Sequence, residues 1–160
     1  MEIGIQVSSV KPLLLTEEQV SLSFQTMRSL GCTTVQLQWI DPSVPVCAIA
    51  ERLKASGMES VSVQDFYEII RENPDYYMDL NTATGGTWLC VSRIPDRLKS
   101  REGLDAYIAE LRQLQNRLTP LGQKVCFHPV TPDFTAIPGM NAVEYLFDHM
   151  PELAICLDLF

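Results

Sequence analysis

With 160 residues, the chain is long enough to enclose one sizeable core. At 46 % hydrophobic and 20 % charged residues, it has the composition of a globular domain rather than a disordered segment. Its formal net charge of −8 argues against a nucleic-acid partner, because neutralising phosphates takes a surplus of Lys and Arg. No apolar run approaches the length of a membrane span, and Met1 leads into a strand-like segment without a signal-peptide pattern. No membrane partner is expected, and the expected address is cytoplasmic.

In chain order, the first strand is predicted over Glu2–Ser8, followed by a helix that begins at Thr16 and stops before Gly31. Thr16 and Gln19 have the spacing of a capping box. A strand over Thr34–Gln38 precedes a second helix, read from the Asp41-Pro42 start signal to Gly57. The strand Ser60–Gln64 leads into a looser third helix from Phe66 towards Leu80, disturbed by Pro74 and closed before Gly85-Gly86. After the strand Thr87–Ser92, Leu104, Ile108, Leu111 and Leu114 mark a fourth helix from Gly103 to Leu118. The strand Lys124–His128 is followed by a helix capped by Asn141 and ended by Pro151, and a last strand is read over Leu153–Asp158. The five cysteines (Cys32, Cys47, Cys90, Cys126 and Cys156) form no CxxC pair and are read as reduced core residues.

Strict alternation of strand and helix implies parallel strands joined by right-handed crossovers. Two architectures satisfy this, a closed (β/α)8 barrel and an open parallel α/β sheet. Val35 and Leu37, Val61 and Val63, Leu89 and Val91, Val125 and Phe127, and Ile155 and Leu157 give the strands one apolar face. The opposite face is small or polar and ends in Gln38, Gln64, Ser92, His128 and Asp158. An open sheet covered on both sides should be apolar on both faces, whereas a barrel gathers polar groups at the C-terminal ends of its strands. The expectation is therefore an α/β fold of the (β/α)8 type, one domain over 1–160. It has five βα units and a sixth strand, lacks its last two units, and has an open edge that invites self-association.

The residues placed for chemistry lie at those strand ends. His128 faces inward from the fifth strand, Asp133 follows in its loop, and Asp158 faces inward from the sixth. Carboxylates from neighbouring strands make half of a site for a divalent metal, and a histidine turns the preference from Mg towards Mn, Co or Zn. Asp133 between Pro132 and Phe134 reads equally well as a turn residue. Gln6, Gln38, Gln64 and Ser92 are candidates for hydrogen-bonding substrate hydroxyls, and Arg93 for binding a phosphate or carboxylate. Trp39 and Phe66 are candidates for stacking on a sugar ring. Gly85-Gly86 is no phosphate loop, since it precedes a strand and lacks the surrounding pattern.

Four segments, Ile3-Gly4-Ile5-Gln6, Leu30-Gly31-Cys32-Thr33-Thr34-Val35-Gln36-Leu37, Phe127-His128 to Asp133-Phe134, and Leu157-Asp158, resemble the xylose isomerase-like barrels. Within them the similarity is to the sugar phosphate isomerase/epimerase family. That resemblance implies a metal-dependent isomerase or epimerase acting on a small sugar, sugar phosphate or polyol, with Asp133 and Asp158 as metal ligands. It implies Asp133 also as a base and His128 as a catalytic residue that orients substrate or supports the metal. A dehydratase acting on a keto-polyol would use the same site, and a non-catalytic barrel fragment that binds a ligand or partner is the rival of a different class. The chain departs from the family pattern at Gln36, where a Glu is expected, and at Pro129-Val130 after His128. The family's last two metal ligands have no counterpart in the 160 residues, so the chain alone is expected to be inactive. The apurinic-site endonucleases of the same superfamily need histidines where this chain has Gln64 and Ser92, which sets that activity aside.

Overall fold

The computed structural model describes residues 4–135 and 137–158. Glu2 and Ile3 of the expected first strand, and Leu159 and Phe160, lie outside the described residues. The strands are β1 (Gly4–Gln6), β2 (Thr34–Leu37), β3 (Glu59–Phe66), β4 (Trp88–Ser92), β5 (Lys124–His128) and β6 (Ala154–Ile155). The helices are α1 (Glu17–Ser29), α2 (Val46–Ser56), α3 (Tyr67–Glu72), α4 (Pro74–Ala83), α5 (Arg101–Leu118), α6 (Thr131–Thr135) and α7 (Ala142–His149). The strands follow one another in the sheet in chain order, from β1 to β6, and β1–β2, β2–β3 and β5–β6 pair in parallel. A doubly wound open sheet reverses its strand order at a switch point. An unreversed succession is that of a (β/α) barrel, and this decides between the two expected architectures.

The chain divides into two compact units. The first comprises residues up to Gln64 together with Asn73–Leu89. Its first helix starts as the sequence predicts: Thr16 Oγ1 accepts from Gln19 N at 3.3 Å, and Gln19 Oε1 accepts from Leu15 N at 3.1 Å. These bonds satisfy donors that a helix start otherwise leaves open. Val20, Phe24 and Met27 are the buried stripe of α1, and Ala48, Ile49 and Leu53 that of α2. The second helix begins later than Asp41-Pro42 predicts. Asp41 Oδ1 accepts from Ser43 N and its carbonyl from Val44 N, each at 2.9 Å, so the pair closes a turn instead. Pro74, which has no N–H to donate, splits the expected third helix and serves as the first residue of α4.

One inference from strand parity fails in this unit. The β2–β3 register slips between Val35, opposite Ser60, and Gln36, opposite Ser62. Val61 is the extra residue of this bulge and is 44 % exposed, so it does not join the apolar face.

The second unit comprises Asp65–Glu72 and residues from Cys90 onward. Ser100 caps α5, its Oγ accepting from Gly103 N at 3.0 Å, so this helix starts two residues earlier than expected. Leu104, Tyr107, Ile108, Leu111, Leu114 and Leu118 form its buried stripe. Asn141 caps α7 as predicted, accepting from Val143 N and Glu144 N. Ile155 and Leu157, expected on the apolar face, are about half exposed. Cys90 and Cys126 are buried as expected, whereas Cys47 is exposed and Cys32 and Cys156 are intermediate. Among the described residues no helix is long and apolar enough to cross a membrane.

Tyr107 packs edge-on against Tyr67, with ring centroids 4.8 Å apart, and against Phe127 at 6.3 Å. Its hydroxyl is buried without a hydrogen-bond partner among the described residues, and burial pushes the phenol well above its ordinary pKa. A buried polar group without a partner opposes folding. Tyr107→Phe keeps the ring contacts and removes the hydroxyl, so it is expected to raise stability by about 1 kcal/mol. A higher urea midpoint at unchanged m-value checks this; a lower midpoint would show that the hydroxyl contributes to the fold.

Candidate functional site

In the first unit, a directed row of polar side chains runs across β1, β2 and β3. Ser8 Oγ donates to Gln6 Oε1 (2.8 Å), Gln6 Nε2 to Gln36 Oε1 (2.9 Å), and Gln36 Nε2 to Ser62 Oγ (2.9 Å). Each carboxamide is therefore held in one orientation by its neighbours, and the row fixes Gln6 where a substrate-binding role was expected. Gln36 and Ser62 complete it; alternation with Val35, Leu37 and Val63 puts both on the polar face of their strands, although neither was singled out as a site residue. Gln38 and Gln64 are buried rather than open at the rim, and the Gln64 side-chain oxygen has no partner among the described residues. Trp39 adopts a left-handed backbone at φ 57°, and Lys11 Nζ lies 4.7 Å from the centre of its ring, over one of its faces.

In the second unit, β5 ends in His128, which is 9 % exposed. Its Nδ1 donates to the Cys156 carbonyl at 3.0 Å, which leaves Nε2 as the free ring nitrogen, 3.8 Å from Asp158 Oδ2. Asp158 is largely exposed. The hydrogen bond with the Cys156 side chain raises the imidazole's pKa, burial works against it, and the Cys156 carbonyl and the Asp158 carboxylate add to the rise.

Asp133, expected to face a metal, occupies a different setting. It lies in α6, a helix the sequence did not suggest between Pro132 and the following loop, and its side chain is fully buried. Asp133 Oδ2 accepts from Val130 N at 2.9 Å and Oδ1 accepts from Ile94 N at 3.2 Å, with Lys99 Nζ 3.7 Å away. The carboxylate ties the segment after β4 to the segment after β5. Asp133 thus stands in a short helix where a turn was the alternative expected, and the tie to Ile94 reaches beyond that helix.

Three of the expected substrate-binding residues, Phe66, Ser92 and Arg93, line one cavity of about 330 Å³ in the second unit. Ser92 is buried, and Phe66 is 40 % exposed. Arg93 has a left-handed backbone at φ 65°, held by its N–H, which donates to the His128 carbonyl at 3.1 Å. Four charged residues that were not expected frame the cavity or its margin: Glu68, Asp96, Arg97 and Lys99. Arg97 clasps Glu68 through two nitrogens, at 2.8 and 3.3 Å. Asp96 is shared by Lys99 Nζ at 2.9 Å and Arg93 Nη2 at 3.0 Å, and these two cations, Lys99 first, hold its carboxyl below the ordinary range. The spacing of Arg93, Asp96 and Lys99 by three residues was the legible signal for that network.

No protein-family model and no curated protein matches the chain. Solved structures do. The chain is similar to an AP endonuclease of family 2 from Brucella melitensis, with TM-score 0.73 and 18 % identity over 100 % of this chain and 69 % of that one. It is similar to a xylose isomerase-like TIM barrel protein from Mycobacterium smegmatis in complex with magnesium (TM-score 0.65, 13 % identity, 98 % of this chain and 63 % of that one). It is also similar to the IolI protein with a bound zinc atom (TM-score 0.66, 13 % identity, 98 % and 62 %). The chain thus has the fold of the xylose isomerase-like TIM barrels, and it spans about two thirds of the length of these structures.

Proposed function

We propose that the chain forms part of a sugar- or polyol-transforming barrel of the isomerase/epimerase type, and that His128 and Asp158 are two of the donors for its divalent metal. The observation that carries this reading is the pair itself. His128 at the end of β5 and Asp158, three residues past the end of β6, face each other at 3.8 Å, and the imidazole is fixed by the Cys156 carbonyl with Nε2 outward. A backbone acceptor on the far nitrogen is what sets the tautomer of a metal-binding histidine. The donor set, one imidazole nitrogen and one carboxylate, suits Mn, Co or Zn. Among the described residues no group of three or more His, Cys, Asp or Glu side chains gathers around it, so the pair is a partial set. The magnesium- and zinc-bound structures of the same fold support the reading.

When bound, such a metal polarises a hydroxyl or carbonyl oxygen of the substrate, which acidifies the neighbouring C–H. His128 orients that oxygen's neighbourhood, and its ring cannot turn without losing the bond to Cys156. Asp133 keeps the loop after β5 in place through Val130 N and Ile94 N, and so fixes the segment that follows His128.

Titrating the chain with Co²⁺ and following its visible absorption tests the pair. His128→Gln and Asp158→Asn are each expected to weaken binding by about tenfold or more. Equal affinity in wild type and both variants would sink the assignment.

A further inference from the structure

The cavity beside Phe66 holds a charged network whose balance singles out one side chain. Glu68 is held by Arg97 through two nitrogens and by Arg71 Nη1 at 3.8 Å, and Arg71 also reaches Glu110 at 3.6 Å. Arg97 is committed to that bidentate pair. Asp96 has two cations, Lys99 at 2.9 Å and Arg93 at 3.0 Å. If Arg93 lets go, Asp96 keeps Lys99, and no carboxylate is left without a partner. Arg93 is thus the cation of the cavity that can be exchanged at low cost. Its hydrogen bond to Asp96 uses Nη2, which leaves the rest of the guanidinium fork for a planar or tetrahedral oxyanion.

The backbone points the same way. An arginine at φ 65° is strained, and here the strain is held by the bond to the His128 carbonyl at the end of β5. Arg93 thus lines the cavity while its backbone is bonded to His128, the residue that carries the candidate donor nitrogen. The other lining that matters is apolar: Phe66 and Ile69 are each about 40 % exposed, and Pro95 is buried.

We infer that this cavity takes a small hydroxylated substrate bearing one oxyanion, a carboxylate or a phosphate, and that Arg93 exchanges Asp96 for that oxyanion while Phe66 covers the carbon chain. The inference rests on reading the strand ends as a substrate site and names the class of substrate. It also gives Asp96 a role, since Asp96 competes with the ligand for Arg93.

The test titrates the whole chain in metal-free, phosphate-free buffer with gluconate, fructose 6-phosphate and fructose, following backbone amide shifts by NMR. Gluconate or fructose 6-phosphate is expected to bind at least about tenfold more tightly than fructose, with shifts centred on Phe66, Arg93 and Asp96. The tighter of the two identifies the oxyanion. Arg93→Gln removes the preference. Asp96→Asn, at a side chain 72 % exposed, strengthens oxyanion binding several-fold when Arg93 is present and has no effect in the Arg93→Gln background. That last comparison separates release of Arg93 from a general change of charge. Fructose binding as tightly as gluconate, or Asp96→Asn acting equally with and without Arg93, overturns the inference. Because no divalent ion is present, its failure leaves the His128–Asp158 reading untouched, and a failed cobalt titration leaves this one untouched.

Discussion

Replacing Asp133 with alanine is expected to lower stability by about 4 kcal/mol, because it leaves two backbone N–H groups without their acceptor inside the protein. Ile94 N and Val130 N each donate to one oxygen of this carboxylate, whose side chain has no exposed surface. Lys99 loses less, since its closer partner is Asp96. Asp133→Asn keeps one acceptor oxygen and turns the other into a donor facing a donor, so about half or more of the loss should remain. Urea denaturation of the three proteins in EDTA measures this. A loss that persists in EDTA belongs to the backbone clasp, whereas an Asp133→Ala protein as stable as wild type would mean the two amides find other acceptors.

Why the sequence suggested a metal ligand at Asp133 is instructive. The residue sits shortly after an inward-facing His at a strand end, and the resemblance to known barrels places a carboxylate there. What decides its role is a contact with Ile94, 39 residues away, and no local pattern encodes a contact across that separation. Local signals fared better. Thr16, Ser100 and Asn141 are all N-caps, and the Leu104, Ile108, Leu111 and Leu114 spacing marks the buried face of α5. Two of these caps were read in the sequence, and Ser100 was passed over in favour of Gly103. Alternation along β2 and β5 correctly separates Val35 from Gln36 and Phe127 from His128, but it fails at β3. One extra residue in the ladder turns Val61 off the apolar face, and a bulge leaves no mark in a run such as Ser60-Val61-Ser62-Val63.

The same limit applies at the cavity. Phe66, Ser92 and Arg93 were legible as strand-end residues, but the balance among Glu68, Asp96, Arg97 and Lys99 was not. It depends on α3 and the turn after β4 meeting side by side, where Arg97 reaches Glu68 across 29 residues. That turn, Asp96–Leu98, is a single 3-10 turn anchored by buried Leu98.

Gly103 shows how tightly that turn is held. A glycine in the first turn of a helix looks like a weak point, and in an exposed helix replacing it by alanine would gain about 1 kcal/mol. Here a Cβ would stand 2.5 Å from the Leu98 carbonyl oxygen and 2.7 Å from its carbonyl carbon and Cα. Those are backbone atoms and cannot swing aside as a side chain would. Either the 3-10 turn or the start of α5 must shift, and the Ser100 bond to Gly103 N resists the second. Overpacking against a fixed backbone outweighs the gain in helix propensity, so Gly103→Ala is expected to destabilise by about 2 kcal/mol net. For a chain of this size that corresponds to a fall in Tm of about 5 °C. Because the shift would pass through Asp96 and Arg97, the variant should also loosen the Arg97–Glu68 clasp and weaken binding of any ligand in the Phe66 cavity. A Gly103→Ala protein that melts higher than wild type would mean that the turn yields easily.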